Sequence, residues 1–204
     1  MITLFYPFVQ HSGINLELEE TMNKELKLIF MVCFCLLILT LGCATHLRKP
    51  AGPPQPAKVR FSNFQAVEMN HVTISPKFAS AKANQKALTK IDEASFSCMH
   101  LIFPNLNEAE ETNSGIRTLL IEPNIEEMKF IGEAARFWLG ALAGSSAVLM
   151  KVTYRDKATG ETIAEPEFYR RSNAWEGQSS MGATDNLMLD NVTRDICTYT
   201  NSNL

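Results

Sequence analysis

The sequence predicts an α+β fold: a single domain whose mostly antiparallel sheet carries two amphipathic helices on one face, placed after an N-terminal signal or anchor helix. Three observations point there. Two β-rich runs, Ala147–Arg155 and Glu161–Arg170, flank Asp156-Lys-Ala-Thr-Gly160, and a short turn ending in Gly between such runs marks a hairpin. Positions 88, 91, 95, 98 and 102, and again Leu189, Val192, Ile196 and Tyr199, repeat at helical spacing. Ahead of both lies an almost wholly apolar run, Leu28–Cys43.

Composition narrows the class further. The chain has 204 residues, with 19 Lys+Arg against 22 Asp+Glu and 46% hydrophobic residues, enough to bury one core. These values exclude a collagen-like repeat, a charged disordered chain and a disulfide-dense miniprotein. The near-neutral balance argues against nucleic acid as a partner, because phosphate binding needs a basic stripe.

Lys24 and Lys27 precede the apolar run, which gives the basic and apolar regions of a secretory signal peptide when counted from Met22. Counted from Met1, the acidic Glu17, Glu19 and Glu20 stand where basic residues are wanted. Residues 1–21 are therefore read as a mis-annotated upstream leader and 22–42 as the signal peptide. The run ends Leu39-Thr40-Leu41-Gly42-Cys43, which resembles the lipobox of bacterial lipoproteins: a small residue directly before a Cys that is lipidated and becomes N-terminal. Gly42 and Cys43 match its two most restrictive positions, whereas Thr40 replaces the usual Leu-type residue. Thr40, Leu41 and Gly42 are then the signal-peptidase recognition residues and Cys43 the lipidation site. An uncleaved transmembrane helix and plain secretion compete with this reading, since about 20 apolar residues can span a bilayer. Arg48 and Lys49 follow the run, so the charge asymmetry that would orient such a helix is poor. Cys33 and Cys35 read as apolar filler.

Residues 43–57 follow as the lipidated Cys and a Pro-rich tether, Pro50-Ala-Gly-Pro53-Pro54-Gln-Pro56, which is stiff, extended and suited to holding a domain off a membrane. The α+β domain spans 58–204. Removing residues 1–42 takes away two basic and four acidic residues and leaves 17 against 18. Val59–Met69 is expected as the first strand, with Val59, Phe61 and Phe64 inward. Ser75-Pro76 supplies a capping hydroxyl and a Pro at the first helical position, so a helix is expected from Pro76 to Ile102, ending before Pro104. Lys82, Lys86 and Lys90 lie on its other face. Asn105–Gly115 is polar and reads as a loop. A strand covers Thr118–Ile121, where Pro123 implies an edge or a bend. The 147–170 hairpin follows, with Pro166 implying a free edge or a bulge in its second strand. A helix opening at Ala183-Thr184-Asp185 and running to about Tyr199 closes the order β–α–β–β–β–α.

Phe137–Gly144 (FWLGALAG), Ser145-Ser146-Ala147-Val148, Asp156–Glu161 (DKATGE) and Gly182–Leu189 (GATDNLML) together resemble an uncharacterised domain family of small bacterial envelope lipoproteins, over roughly Val59–Asn203. The resemblance implies a lipid-anchored α/β domain in the outer membrane of a diderm bacterium, facing the periplasm, and brings no catalytic residues to carry over. Ala44 after the lipidated Cys, rather than Asp, is similar to proteins sent on to that membrane.

Catalytic patterns are few. Ser145 and Ser146 follow Gly144 without a G-x-S-x-G elbow. The histidines after the signal peptide are His46, His71 and His100, and His100 is expected to be partly buried beside the core stripe. No H-E-x-x-H or Cys-x-x-Cys pair points to zinc, and the Glu108, Glu110, Glu111 run reads as a solvated face. No metal or cofactor is expected beyond the covalent lipid. With Cys43 lipidated, Cys98 and Cys197 remain as an even pair, either bridged or as two free thiols. Gly140 and Gly144 form a small-xxx-small pattern that reads as a buried loop or, with Phe137 and Trp138, as an interaction surface. Trp175 beside Arg170 and Arg171 reads as an edge-of-core aromatic or a sugar-stacking one.

Two functions remain open: a non-enzymatic accessory, assembly or binding module of the envelope, held by the lipid and meeting a protein partner there, or a periplasmic enzyme or cell-wall carbohydrate binder with an unrecognised site. One consequence of the start-site reading is testable. Expression from Met22 alone is expected to give the same membrane-bound mature protein as the full sequence, and loss of export from the shorter gene contradicts the assignment.

Overall fold

The computed structural model describes residues 27, 31, 47–108, 115–131, 145–172 and 183–204. Lys27 and Met31 are helical, and among the described residues no helix is long and apolar enough to cross a membrane. The remaining described residues belong to one compact unit, His46–Leu204. Its elements run in chain order: a 3₁₀ turn Phe61–Asn63, β1 (Ala66–Met69), β2 (Thr73–Ile74), α1 (Pro76–Ala79), α2 (Lys82–Ile102), β3 (Asn107–Glu108), β4 (Thr118–Lys129), β5 (Ala147–Asp156), β6 (Thr162–Ala164), β7 (Glu167–Arg171) and α3 (Ala183–Ser202). This is the expected α+β domain with a mostly antiparallel open sheet.

The sheet order is β3-β1-β4-β5-β6, with β2 also on β4 and β7 also on β5. The long pairings, β4 with β5 and β5 with β6 and β7, are antiparallel. The short β1, β2 and β3 join in parallel, a feature not expected from the sequence. The reason is the connection: α1 and α2 carry the chain from β1 and β2 back to the start of the sheet, and parallel neighbours need such a crossover. Strand β4 alternates, with Leu119, Ile121, Pro123 and Ile125 buried and Leu120, Glu122 and Asn124 half-buried. On β5 the inward set is Val148, Met150, Val152 and Tyr154. Helix α3 buries Met188, Leu189, Val192, Ile196 and Tyr199, so its expected stripe is the core stripe.

Several expectations are revised. The first strand is only Ala66–Met69; Phe61 and Phe64 are buried as expected, but Phe61 sits in the 3₁₀ turn. The helix expected over Pro76–Ile102 is two helices. Ala81 is extended, and the carbonyls of Phe78 and Ala79 accept bonds from the Asn84 and Gln85 side chains instead of continuing the ladder. Ser75 precedes Pro76 as the N-cap residue but makes no side-chain cap bond. The buried line of α2 runs Asn84, Ala87, Ile91, Ser95, Met99, a rotation that leaves Leu88, Cys98 and Ile102 on its flank. His100 is exposed rather than partly buried.

Pro123 bends nothing: β4 continues through it to Lys129. Its partner Val152 donates its N–H the other way, to Pro166 O at 3.1 Å, so the missing N–H of Pro123 faces β1 and β2. There the neighbouring strand is interrupted at 70–72, between the segments paired with 118–121 and with 124–125. Val72 N–H turns instead to Asp92 Oδ1 at 2.7 Å. Proline is tolerated in the middle of the sheet because the adjacent ladder has a gap at that place.

Pro166 separates β6 from β7; Ala164 and β7 share one register along β5, a shift falls between Tyr154 and Arg155, and the second hairpin strand is an outer edge as expected. The turn is held by Asp156, whose side chain accepts the N–H groups of Ala158 and Thr159 and a bond from Arg117 Nε at 3.0 Å. The Arg117 bond, with the two backbone N–H groups, holds the Asp156 carboxyl below the usual carboxylate range. Gly160 adopts φ +72°, with open space where a Cβ would stand. Gly160→Val is therefore strained by backbone conformation alone and is expected to cost about 1–2 kcal/mol in a thermal or urea melt. An unchanged midpoint contradicts the turn assignment.

Candidate functional site

The face of the sheet away from the helices carries Lys151, Thr153 and Arg155 of β5, in ion pairs Lys151–Glu165 at 3.2 Å and Arg155–Glu122 at 3.1 Å. Near the Lys129 end of β4 the pattern changes. A bulge between Ile125 and Glu127 puts two successive carboxylates, Glu126 and Glu127, on this polar face and returns Met128 to the core. Leu149 lies on the same face and is fully buried, opposite Tyr169 of β7.

This is where the Pro-rich segment attaches. Arg48 forms a fork with Glu167, at 2.8 and 2.6 Å, and its Nη2 also reaches Glu126 at 3.1 Å. The Arg48 backbone N–H donates to Glu127 Oε2 at 3.0 Å. The bond from Arg48 holds the Glu167 carboxyl below its usual range, and the same bond holds the guanidinium more firmly protonated. Lys49 Nζ lies over the Tyr169 ring, 5.9 Å from its centre. Further along, the carbonyl of Gln55 accepts the Tyr199 hydroxyl at 2.8 Å, and Ala57 N–H donates to Asn203 Oδ1 at 2.8 Å. Lys58 N–H donates to Ile163 O at 3.1 Å, and Phe61 N–H to Asn203 O at 2.8 Å.

An exposed ion pair alone contributes little. Here the hold is distributed over a dozen residues, and the prolines at 50, 53, 54 and 56 reduce the freedom lost on docking. The segment therefore lies along the outer edge of β6 and β7 as a strap, enclosing a groove of about 420 Å³. Having few N–H groups, it covers that edge without extending the sheet. Among the described residues, the stretch from Arg48 to Lys58 is thus held against the domain at several points. The strap is hard to see in the sequence because its partners are up to 146 residues away; the visible signal is Arg48-Lys49 ahead of the prolines.

Of the sequence-derived site residues, Thr40, Leu41, Gly42 and Cys43 lie outside the described residues, as do Phe137, Trp138, Gly140, Gly144 and Trp175. Cys98 on α2 and Cys197 on α3 are joined through their sulfurs, with Cα atoms 6.4 Å apart. His71 Nδ1 lies 2.8 Å from Asp92 Oδ2, and its Nε2 is 3.9 Å from Glu108. The Asp92 bond raises the His71 pKa above its ordinary value. Since the other oxygen of Asp92 takes Val72 N–H, the pair fastens the interruption between β1 and β2 to α2. Among the described residues no group of three or more His, Cys, Asp or Glu is placed to hold a metal ion.

No family model and no curated protein matches the chain. Among solved structures it is similar to a PelC dodecamer from Paraburkholderia phytofirmans, at 10% identity over 70% of this chain and 91% of that one, with a TM-score of 0.42. It is also similar to a hypothetical protein from Chlamydia trachomatis, at 11% identity over 68% of this chain and 99% of that one, TM-score 0.42. A third is a minor lipoprotein from Acinetobacter baumannii, at 8% identity over 67% and 93%, TM-score 0.31.

The Cys98–Cys197 bond closes a loop with a sequence separation of 99. Chain-entropy reasoning assigns a loop of that length about 4–5 kcal/mol. The Cys98→Ser/Cys197→Ser variant, or the reduced protein, is expected to unfold at markedly lower urea concentration, and an identical midpoint with and without reductant contradicts the cross-link.

Proposed function

We propose that the chain is a bacterial envelope lipoprotein, anchored through lipidated Cys43 in the outer membrane and facing the periplasm, where it acts as a non-enzymatic accessory, assembly or binding module. The observation that carries the proposal is Gly42-Cys43 at the end of the apolar run that follows Lys24 and Lys27. The acyl-transfer chemistry requires a thiol at the mature N-terminus, because the diacylglyceryl group is attached as a thioether, and a small residue before it lets the peptidase approach the backbone. Ala44 in place of Asp favours onward transport to the outer membrane. The Cys98–Cys197 bond supports an exported domain, since such bonds persist in oxidising compartments. Among the described residues, the strap groove is a surface available to a partner.

Cys43→Ser is expected to abolish fatty-acid labelling and signal-peptide removal at this site. Labelling that persists in the variant overturns the anchor.

A further inference from the structure

We infer that the strap fixes the orientation of the domain on the bilayer: it holds the sheet end at Lys129, Ala147 and Arg171 towards the phospholipid headgroups and the Asp156–Gly160 turn away from them. This rests on Cys43 carrying the lipid, as proposed above.

Reach sets the orientation. Five peptide steps separate Cys43 from Arg48, and a fully extended chain of that length spans at most about 17 Å. Arg48 is held at Glu126, Glu127 and Glu167, within a few residues of Lys129 and Arg171. The other end of β4, at Thr118, is nine residues from Glu127 and six from Asn124, the residue level with Glu167 through Lys151, or about 20–30 Å along an extended strand. The lipid therefore cannot bring the Thr118 end, with its Asp156–Gly160 turn, to the membrane while the strap is docked and the sheet end beside Arg48 is held back. Undocked, the chain would be anchored from Lys58, fifteen peptide steps from Cys43. That allows about 50 Å, longer than the sheet itself, and orientation would be lost. The carboxylates that grip Arg48 and the ring beneath Lys49 thus convert a long tether into a short one.

The test uses the full lipidated chain carrying a single introduced fluorophore, at Arg171→Cys or at Ala158→Cys. Each is loaded on phosphatidylethanolamine–phosphatidylglycerol vesicles with an energy acceptor on a fraction of the headgroups. Transfer from position 171 is expected to exceed that from position 158 several-fold. The difference is expected to collapse in Arg48→Glu. It is also expected to collapse when about ten Gly/Ser residues are inserted after Thr45, a change that lengthens the tether without touching the fold. Equal transfer from both positions in an otherwise unaltered, lipidated chain overturns the orientation alone, as does a difference that survives the insertion. Absence of lipid on Cys43 in the unaltered chain recovered from membranes, read by intact mass, overturns the anchor and the orientation together.

Discussion

The antiparallel pairing of β4 with β5 is the constraint on which the rest depends. It runs from Leu119↔Asp156 to Lys129↔Ala147. Its alternation puts Ile121, Ile125, Val148, Met150, Val152 and Tyr154 on the helix side, each fully buried. A large apolar side chain buried this way contributes about 1.5–3 kcal/mol, and a slip of one residue would turn the whole set to the polar face. The one irregularity in the pairing, the bulge at Glu126, presents adjacent carboxylates to a single guanidinium. Core and strap site therefore come from the same register.

Tyr154 extends that constraint across the layers. Its ring stacks on Phe61 at 4.6 Å and lies 5.8 Å from Tyr199, and its hydroxyl shares a 2.6 Å bond with Thr200. Burial pushes its pKa up, so the hydroxyl stays neutral and available for that bond. The sheet, the last turns of α3 and the 3₁₀ turn at Phe61 thus meet at one side chain. Asn203 continues the junction by bonding Ala57 and Phe61, so the chain's C-terminal residues fasten the end of the strap.

What could be read from the sequence follows the range of the interactions. The 156–160 turn needed only a Gly at positive φ between β-rich runs, and α3 needed only its own periodicity. Both are local, and both stand as expected. The division of the long helix at Ala81 was illegible, because no Pro or Gly marks it; side-chain capture of two carbonyls by Asn84 and Gln85 makes it. The passage of β4 through Pro123 was illegible for a different reason, since it depends on a gap in a neighbouring strand some fifty residues away. The strap was read as spacer because composition reveals stiffness but not contact. Of the candidate site, the proposed lipidation at Cys43 rests on a local motif, whereas the Glu126, Glu127 and Glu167 cradle for Arg48 exists only once three segments are folded together.

The functional picture joins a local covalent signal to this distant cradle. On the proposed reading, lipid on Cys43 would give the domain its address, and the strap would connect that address to the sheet. The most direct measurement is the intact mass of the protein extracted from membranes, with the mass of its N-terminal peptide. A mature chain beginning at Cys43 and heavier by a diacylglyceryl group is the predicted result. A chain whose Cys43 is unmodified, or whose N-terminus lies elsewhere, would contradict the central claim.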